Sequence, residues 1–163
     1  MSWQVYDHVG AQPISEASTT QQHVLGFRVR AKDPTYGDGT FIYVKGVSSG
    51  AAGLLARYDT QTGATTLTGA RTKGLVGVMM AALSSTSTYG WLQIGGTADV
   101  QVAGTVAAGA TVYLTSTAGK ADDAVVAGDI VYGANFLTAD GTPAANHALV
   151  ALASPYCGDT DNT

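Results

Sequence analysis

The pentapeptide Gly46-Val47-Ser48-Ser49-Gly50 fits the Gly-x-Ser-x-Gly pattern of a nucleophile elbow, and Asp129 or Asp140 followed by His147 completes the order Ser, Asp, His. In that reading the Ser48 hydroxyl attacks an acyl carbon, His147 takes its proton, and an aspartate holds the imidazole in the right tautomer. An elbow also needs a helix behind the serine. The stretch from Ala51 to Tyr58 is interrupted by Gly53 and stops at Asp59-Thr60. A Ser/Gly loop between strands is therefore the expected structure, and a serine esterase built on Ser48 is a remote alternative.

The other reactive side chains are dispersed. Asp33 and Asp38 share one Gly-rich loop and Asp122-Asp123 form a pair, but neither has the alternating spacing of a Ca²⁺ loop, so solvated turn aspartates are expected. His8, His23 and His147 lack an i,i+4 partner or a nearby glutamate and read as surface or interface residues. Cys157, the single cysteine, has no histidine or basic neighbour in sequence and reads as an unreactive thiol. No Walker loop occurs, so phosphate cradling lacks its donor array. Tyr89, Trp91 and Tyr113 have the chemistry of a stacking surface for sugars or single strands, yet without basic neighbours they read as core or interface packing. No catalytic residue, metal or cofactor is expected, and the chain is not read as an enzyme.

The composition points the same way. The 163 residues suit one domain, and only 12% are charged against roughly 25% in typical soluble proteins. Glu16 is the one glutamate, and Thr, Val, Gly and Ser stand where helix formers would, so the expected class is all-β. A net charge of -4 with scattered basic residues argues against nucleic acid as a partner. The start, Met1-Ser2-Trp3-Gln4, lacks the blocks of a signal peptide, and no apolar run approaches the ~20 residues of a bilayer span. Synthesis in a cytoplasm and no membrane partner are expected.

Residues 1–24 are rich in Ser, Thr and Gln and read as an extended N-terminal arm, with Trp3, Val5 and Tyr6 as anchors that dock either on the chain's own β domain or on a neighbouring subunit. From Leu25 to Ala31 apolar and polar residues alternate, as in a half-buried strand. The turn-rich Asp33-to-Gly39 segment then predicts a longish hairpin loop before Phe41 to Lys45. Leu54 to Tyr58 and Ala64 to Thr68 form a weaker pair. Leu75 to Leu83 is apolar on both faces, which fits a covered central strand or a short buried helix; Val76, Gly77 and Val78 favour the strand. Tyr89 to Ile94 is a strand ended by Gly95-Gly96. Ala98 to Val102, Thr111 to Thr115, Asp129 to Leu137 and Ala148 to Ala153 follow as further strands. Val102 to Ala110 aligns with Val126 to Ala134 as a weak repeat of two turn-plus-strand units. The expected organisation is the arm, a β domain over 25–156 and a polar C-terminal tail over 157–163. The β domain reads as a single small barrel or sandwich of roughly eight to ten short antiparallel strands.

Three runs carry a resemblance: Gly90-Trp91-Leu92-Gln93-Ile94-Gly95-Gly96, Val100-Gln101-Val102-Ala103-Gly104, and Ala108-Gly109-Ala110-Thr111-Val112-Tyr113-Leu114. With the closing Ala148 to Ala153 strand, this pattern resembles the capsid cement or decoration proteins of tailed bacteriophages, over roughly Leu75 to Tyr156. The resemblance implies a non-enzymatic virion protein, often a homotrimer, made in the host bacterial cytoplasm. It would bind the major capsid protein on the outer surface of the head, with no small-molecule substrate. Trp3, Val5 and Tyr6 are the expected partner contacts. A phage tail or fibre component that binds a host-surface glycan is the alternative.

Overall fold

The computed structural model describes residues 2–158, and every regular element within them is a β-strand. In chain order these are β1 (Gln4–Val5), β2 (Arg28–Asp33), β3 (Gly37–Lys45), β4 (Leu55–Tyr58), β5 (Thr65–Leu67) and β6 (Gly74–Met79). The chain continues with β7 (Tyr89–Gln101), β8 (Thr111–Leu114), β9 (Ala121–Asp122), β10 (Ile130–Phe136) and β11 (His147–Cys157). All eleven join one antiparallel sheet in the order β1-β2-β3-β7-β6-β11-β10-β8-β9, with β4 and β5 branching from β6. The all-β expectation holds. The count exceeds eight to ten because β1, β5 and β9 are only two or three residues long.

The β2–β3 hairpin is tighter than the turn-rich sequence predicts. Asp33 pairs with Gly37, and the Asp33 carboxylate accepts the amides of Thr35 and Tyr36, an Asx-type turn that closes the loop over Pro34-Thr35-Tyr36. Asp38 and Gly39 therefore belong to β3, opposite Lys32 and Ala31. On β2, Val29 and Ala31 point inward while Arg28, Arg30 and Lys32 meet water.

The largest departure from the sequence reading lies at Gly95-Gly96. This pair does not end a strand; β7 runs through it for 13 residues and changes partners there. Tyr89 to Gly95 pair with β3, and Gly95 to Gln101 pair with β11. The register slips between Thr40 and Phe41, leaving a bulge at the bend. Gly96 has φ +88°, and a Cβ there would sit 2.2 Å from the Asp38 carbonyl oxygen, so the bend admits only glycine. Gln93, fully buried, donates its side-chain amide to the carbonyls of Gly95 and Thr97 and ties the bend to itself.

Because β7 is shared, it organises three apolar clusters. Ala98 and Val100 join Val76, Val78, Val112, Val131, Phe136 and Val150 in the largest. Leu92 and Ile94 pack with Ile42, Val44, Ala56 and Met79 in the second. Trp91 packs on the opposite side with Phe41, Tyr43, Val29 and Ile14. Both faces of β3 and β6 are thus covered, as the unbroken apolar run in β6 implies. The strand reading of that run is correct up to Met79.

Of the two docking alternatives for the N-terminal segment, the structure has the one within the chain: Gln4 and Val5 pair with Lys32 and Ala31, Ser18 bridges to Tyr89, and Ile14 is buried in the third cluster. The accessible surface is 7460 Å², close to the about 7,500 Å² of a folded monomer of this mass, with none of the excess a projecting arm would add. One more expectation fails: the weak repeat is not structural, since Val102 to Ala110 is mostly loop while Ile130 to Ala134 is strand.

The bend yields a test. Gly96→Ala should lower unfolding stability by roughly 2 to 4 kcal/mol. A urea denaturation midpoint equal to that of the wild type would show that β7 can turn without glycine.

Candidate functional site

Among the contacts that hold the segment before β2, one buried polar residue gathers the most hydrogen bonds. Gln12 is buried, and each of its polar atoms has a partner. Its backbone amide donates to His23 Nε2 at 2.9 Å, and its carbonyl accepts the Trp91 indole N–H at 3.0 Å. Its side-chain amide donates to the carbonyls of Glu16 and Tyr89, and Oε1 accepts the Tyr43 hydroxyl at 2.7 Å. Burial raises the Tyr43 hydroxyl above its ordinary pKa, which keeps it a donor. His23 is enclosed by aromatic rings, with centroids 5.0 Å from Tyr43, 5.5 Å from Trp91, and 5.7 Å from both Phe27 and His8. Burial, and then the neighbouring His8, lower its pKa from 6.5.

The expected anchors divide within this segment. Trp3 lies edge-on to Phe41 at 5.0 Å and Val5 packs with it against the third cluster, so both dock on the chain's own sheet. Tyr6 is 49% exposed, with the Arg30 guanidinium 5.3 Å from its ring centroid. Val9 and Val24, in the same segment, are also exposed.

A second exposed apolar surface crosses the other end of the sheet. Strand register places Leu75 opposite Tyr156, Tyr156 opposite Tyr132, and Ile130 opposite Tyr113. Ile130 and Tyr132 are two residues apart, so all five side chains share one face. The alternate residues Val76, Val112, Val131 and Cys157 face the largest cluster. Tyr132 and Tyr156 stack with centroids 5.1 Å apart and planes 22° from parallel. Leu75 and Tyr156 are exposed, and Tyr113, Ile130 and Tyr132 are half-buried. Of this surface the sequence reading singled out only Tyr113. Its companions Tyr89 and Trp91 lie against the third cluster, and Trp91 is fully buried.

The residues nominated for chemistry are engaged elsewhere. Ser48 is exposed in a turn closed by the Gly50 amide on the Val47 carbonyl, and the chain proceeds to β4 without a helix. Gly46 and Gly50 are required because the Leu83-to-Thr88 loop crosses them; a Cβ on either would meet the Leu83 carbonyl at 2.5 and 2.2 Å. His147 pairs with Asp99, Nδ1 to Oδ1 2.7 Å, rather than with Asp129 or Asp140. That pair lines a cavity of about 170 Å³ together with Ser15, Ala52, Gly53, Met79 and Met80. Asp129 accepts the Arg71 amide, Asp140 the Val106 amide, and Asp123 the Ala107 amide. Asp122 accepts the amide of Asp123. At Asp33 burial works to raise the carboxyl, but the amides of Tyr36, Ser2 and Thr35 outweigh it and hold the pKa below 3.8. These aspartates bind backbone. Among the described residues no group of three or more His, Cys, Asp or Glu is placed to hold a metal ion.

Cys157 corrects the expected tail boundary. It is the last residue of β11 and is buried, and burial, then the charge of Asp129, push its thiol up to about 12. Residues 159–163 of that tail lie outside the described residues.

Comparison with known proteins yields no match to a family model, a curated protein or a solved structure.

Two outcomes follow from the buried groups. Gln12→Ala should cost roughly 2 to 3 kcal/mol in denaturant unfolding, against about 1 kcal/mol for Tyr43→Phe, because it strands several buried partners at once; equal costs would contradict this. Cys157 should resist an aromatic disulfide reagent at about pH 8 until urea unfolds the chain, and fast labelling of the native protein would place the thiol at the surface.

Proposed function

We propose that this chain is a structural protein of a phage particle, a cement or decoration protein that binds the outer surface of the head and stabilises it. The observation that carries the reading is the apolar surface on which exposed Leu75 and Tyr156 lie beside half-buried Tyr132, Ile130 and Tyr113. Tyrosines offer large, rigid contact area with little rotamer entropy to lose, which suits a flat protein partner. The runs that resemble decoration proteins lie on β7, β8 and β11 and on the loop between β7 and β8. Seven residue pairs join β7 to β11 and β10 links β11 to β8, while Gly90 to Gly95 pair with β3, so these runs spread across one sheet through the shared strand β7.

In this reading the partner is the major capsid protein and the working form is a homotrimer. One chain covering about 800 Å² binds modestly, while three linked chains gain an avidity of about 10² to 10⁴. Such a function needs neither cofactor nor substrate. The stacked Tyr132–Tyr156 pair also matches the apolar face of a sugar ring, which keeps a tail or fibre component binding a host-surface glycan as the second reading.

Particles assembled with and without the protein, imaged by cryo-EM, provide the test. Added density on the outside of the head, together with higher heat resistance, is expected. The double variant Tyr132→Ala/Tyr156→Ala should lower head affinity at least tenfold while keeping the wild-type circular dichroism spectrum. Unchanged density and heat resistance would overturn the cement reading; glycan-array binding without affinity for heads would favour the second.

A further inference from the structure

We propose that His23 is an acid-sensitive latch within the N-terminal segment: protonation of its Nε2 loosens residues 12–18 from the face of β3 and β7. The inference is independent of what the protein binds.

The geometry sets the direction. The Gln12 amide donates to His23 Nε2 at 2.9 Å, so this nitrogen must carry a lone pair and the ring proton must reside on Nδ1. A proton entering at Nε2 replaces the acceptor with a donor and sets two N–H groups against each other. The Gln12 amide is then left without its acceptor, in a residue that also holds Tyr43, Tyr89 and Trp91.

The surroundings offer little compensation. From residues 6–9 the ring meets His8, whose charge disfavours a second positive charge on His23, while Asp7 is turned onto the Arg30 amide and guanidinium. From β3 it meets Tyr43, whose hydroxyl is committed to Gln12 Oε1, and from β7 it meets Trp91. No carboxylate is hydrogen-bonded to the ring among the described residues. Attraction of an imidazolium to the Phe27 and Trp91 rings opposes release but does not restore the lost acceptor. The lowered pKa of His23 agrees with this balance.

The sign follows from linkage. The closed form binds the proton more weakly than the open form, whose histidine titrates near 6.5. The closed form is therefore fully favoured above that value and loses ground as the pH falls through it. From about pH 7.5 to about pH 5 the opening constant can rise by at most about 30-fold.

Hydrogen–deuterium exchange of the full chain at those two pH values, corrected for intrinsic rates, tests this. Peptides covering residues 12–18 should lose protection on acidification, by up to about 30-fold, while β10 and β11 stay protected. In His23→Gln the side-chain oxygen keeps an acceptor near the Nε2 position without titrating, so the segment should remain closed at both pH values. Acid loss equal to that of the wild type in this variant, or none in the wild type, overturns the proposal. If the variant fails to fold, NMR titration of His23 in the wild type decides: a pKa below the ordinary value is expected, and one at or above it overturns the latch.

Discussion

Gln12 is a buried amide whose partners come from the N-terminal segment and from two core strands, and the layering of the molecule depends on it. Strands β3 and β7 carry large apolar side chains on both faces. One face is covered by β4 and β6, which are part of the sheet. The other is covered by a segment with little regular structure, which cannot satisfy its polar groups by a ladder. Gln12 answers this by accepting from Tyr43 and Trp91 and donating to Tyr89, so the polar atoms of the core aromatics and of the cover satisfy one another. Without that match, Trp91 and Tyr43 would have to bury their N–H and O–H unpaired or stay in water.

The second organising feature is the continuity of β7. A strand that bends within the sheet gives one chain segment to three apolar clusters, and this couples the β2–β3 end to the β8–β10 end. The coupling rests on small parts: two glycines, a one-residue slip in register, and the Gln93 amide bridging the carbonyls of Gly95 and Thr97. The apolar share of the chain is thereby distributed over several modest clusters, all touching a common strand.

Much of this was legible in the sequence where the cause is local. Alternation in Arg28–Asp33 and the apolar run of Val76 to Met79 report burial on one face and on two, because side-chain direction in a strand follows residue number. What the sequence obscured depends on partners far along the chain. A Gly-Gly pair looks like a stop, yet here it permits a bend, since what decides is the Asp38 carbonyl pressed against Gly96. A Ser- and Gln-rich start looks like an extended arm with only Trp3, Val5 and Tyr6 as anchors, yet Gln12 finds partners 31 and 79 residues away. The Gly-x-Ser-x-Gly pattern is explained by a crossing loop. The tyrosine surface emerges only from the pairing of β11 with β6 and β10, which no spacing within one strand can reveal.

The sheet ends in very short strands: two residues at β1, two at β9, and three at the β5 branch. Such borders give an incoming strand almost no ladder to extend, so copies of this chain are discouraged from polymerising edge to edge. Association is thereby directed to the flat faces. The contact area the chain can offer lies instead on its faces, where the exposed Leu75 and Tyr156 side chains stand.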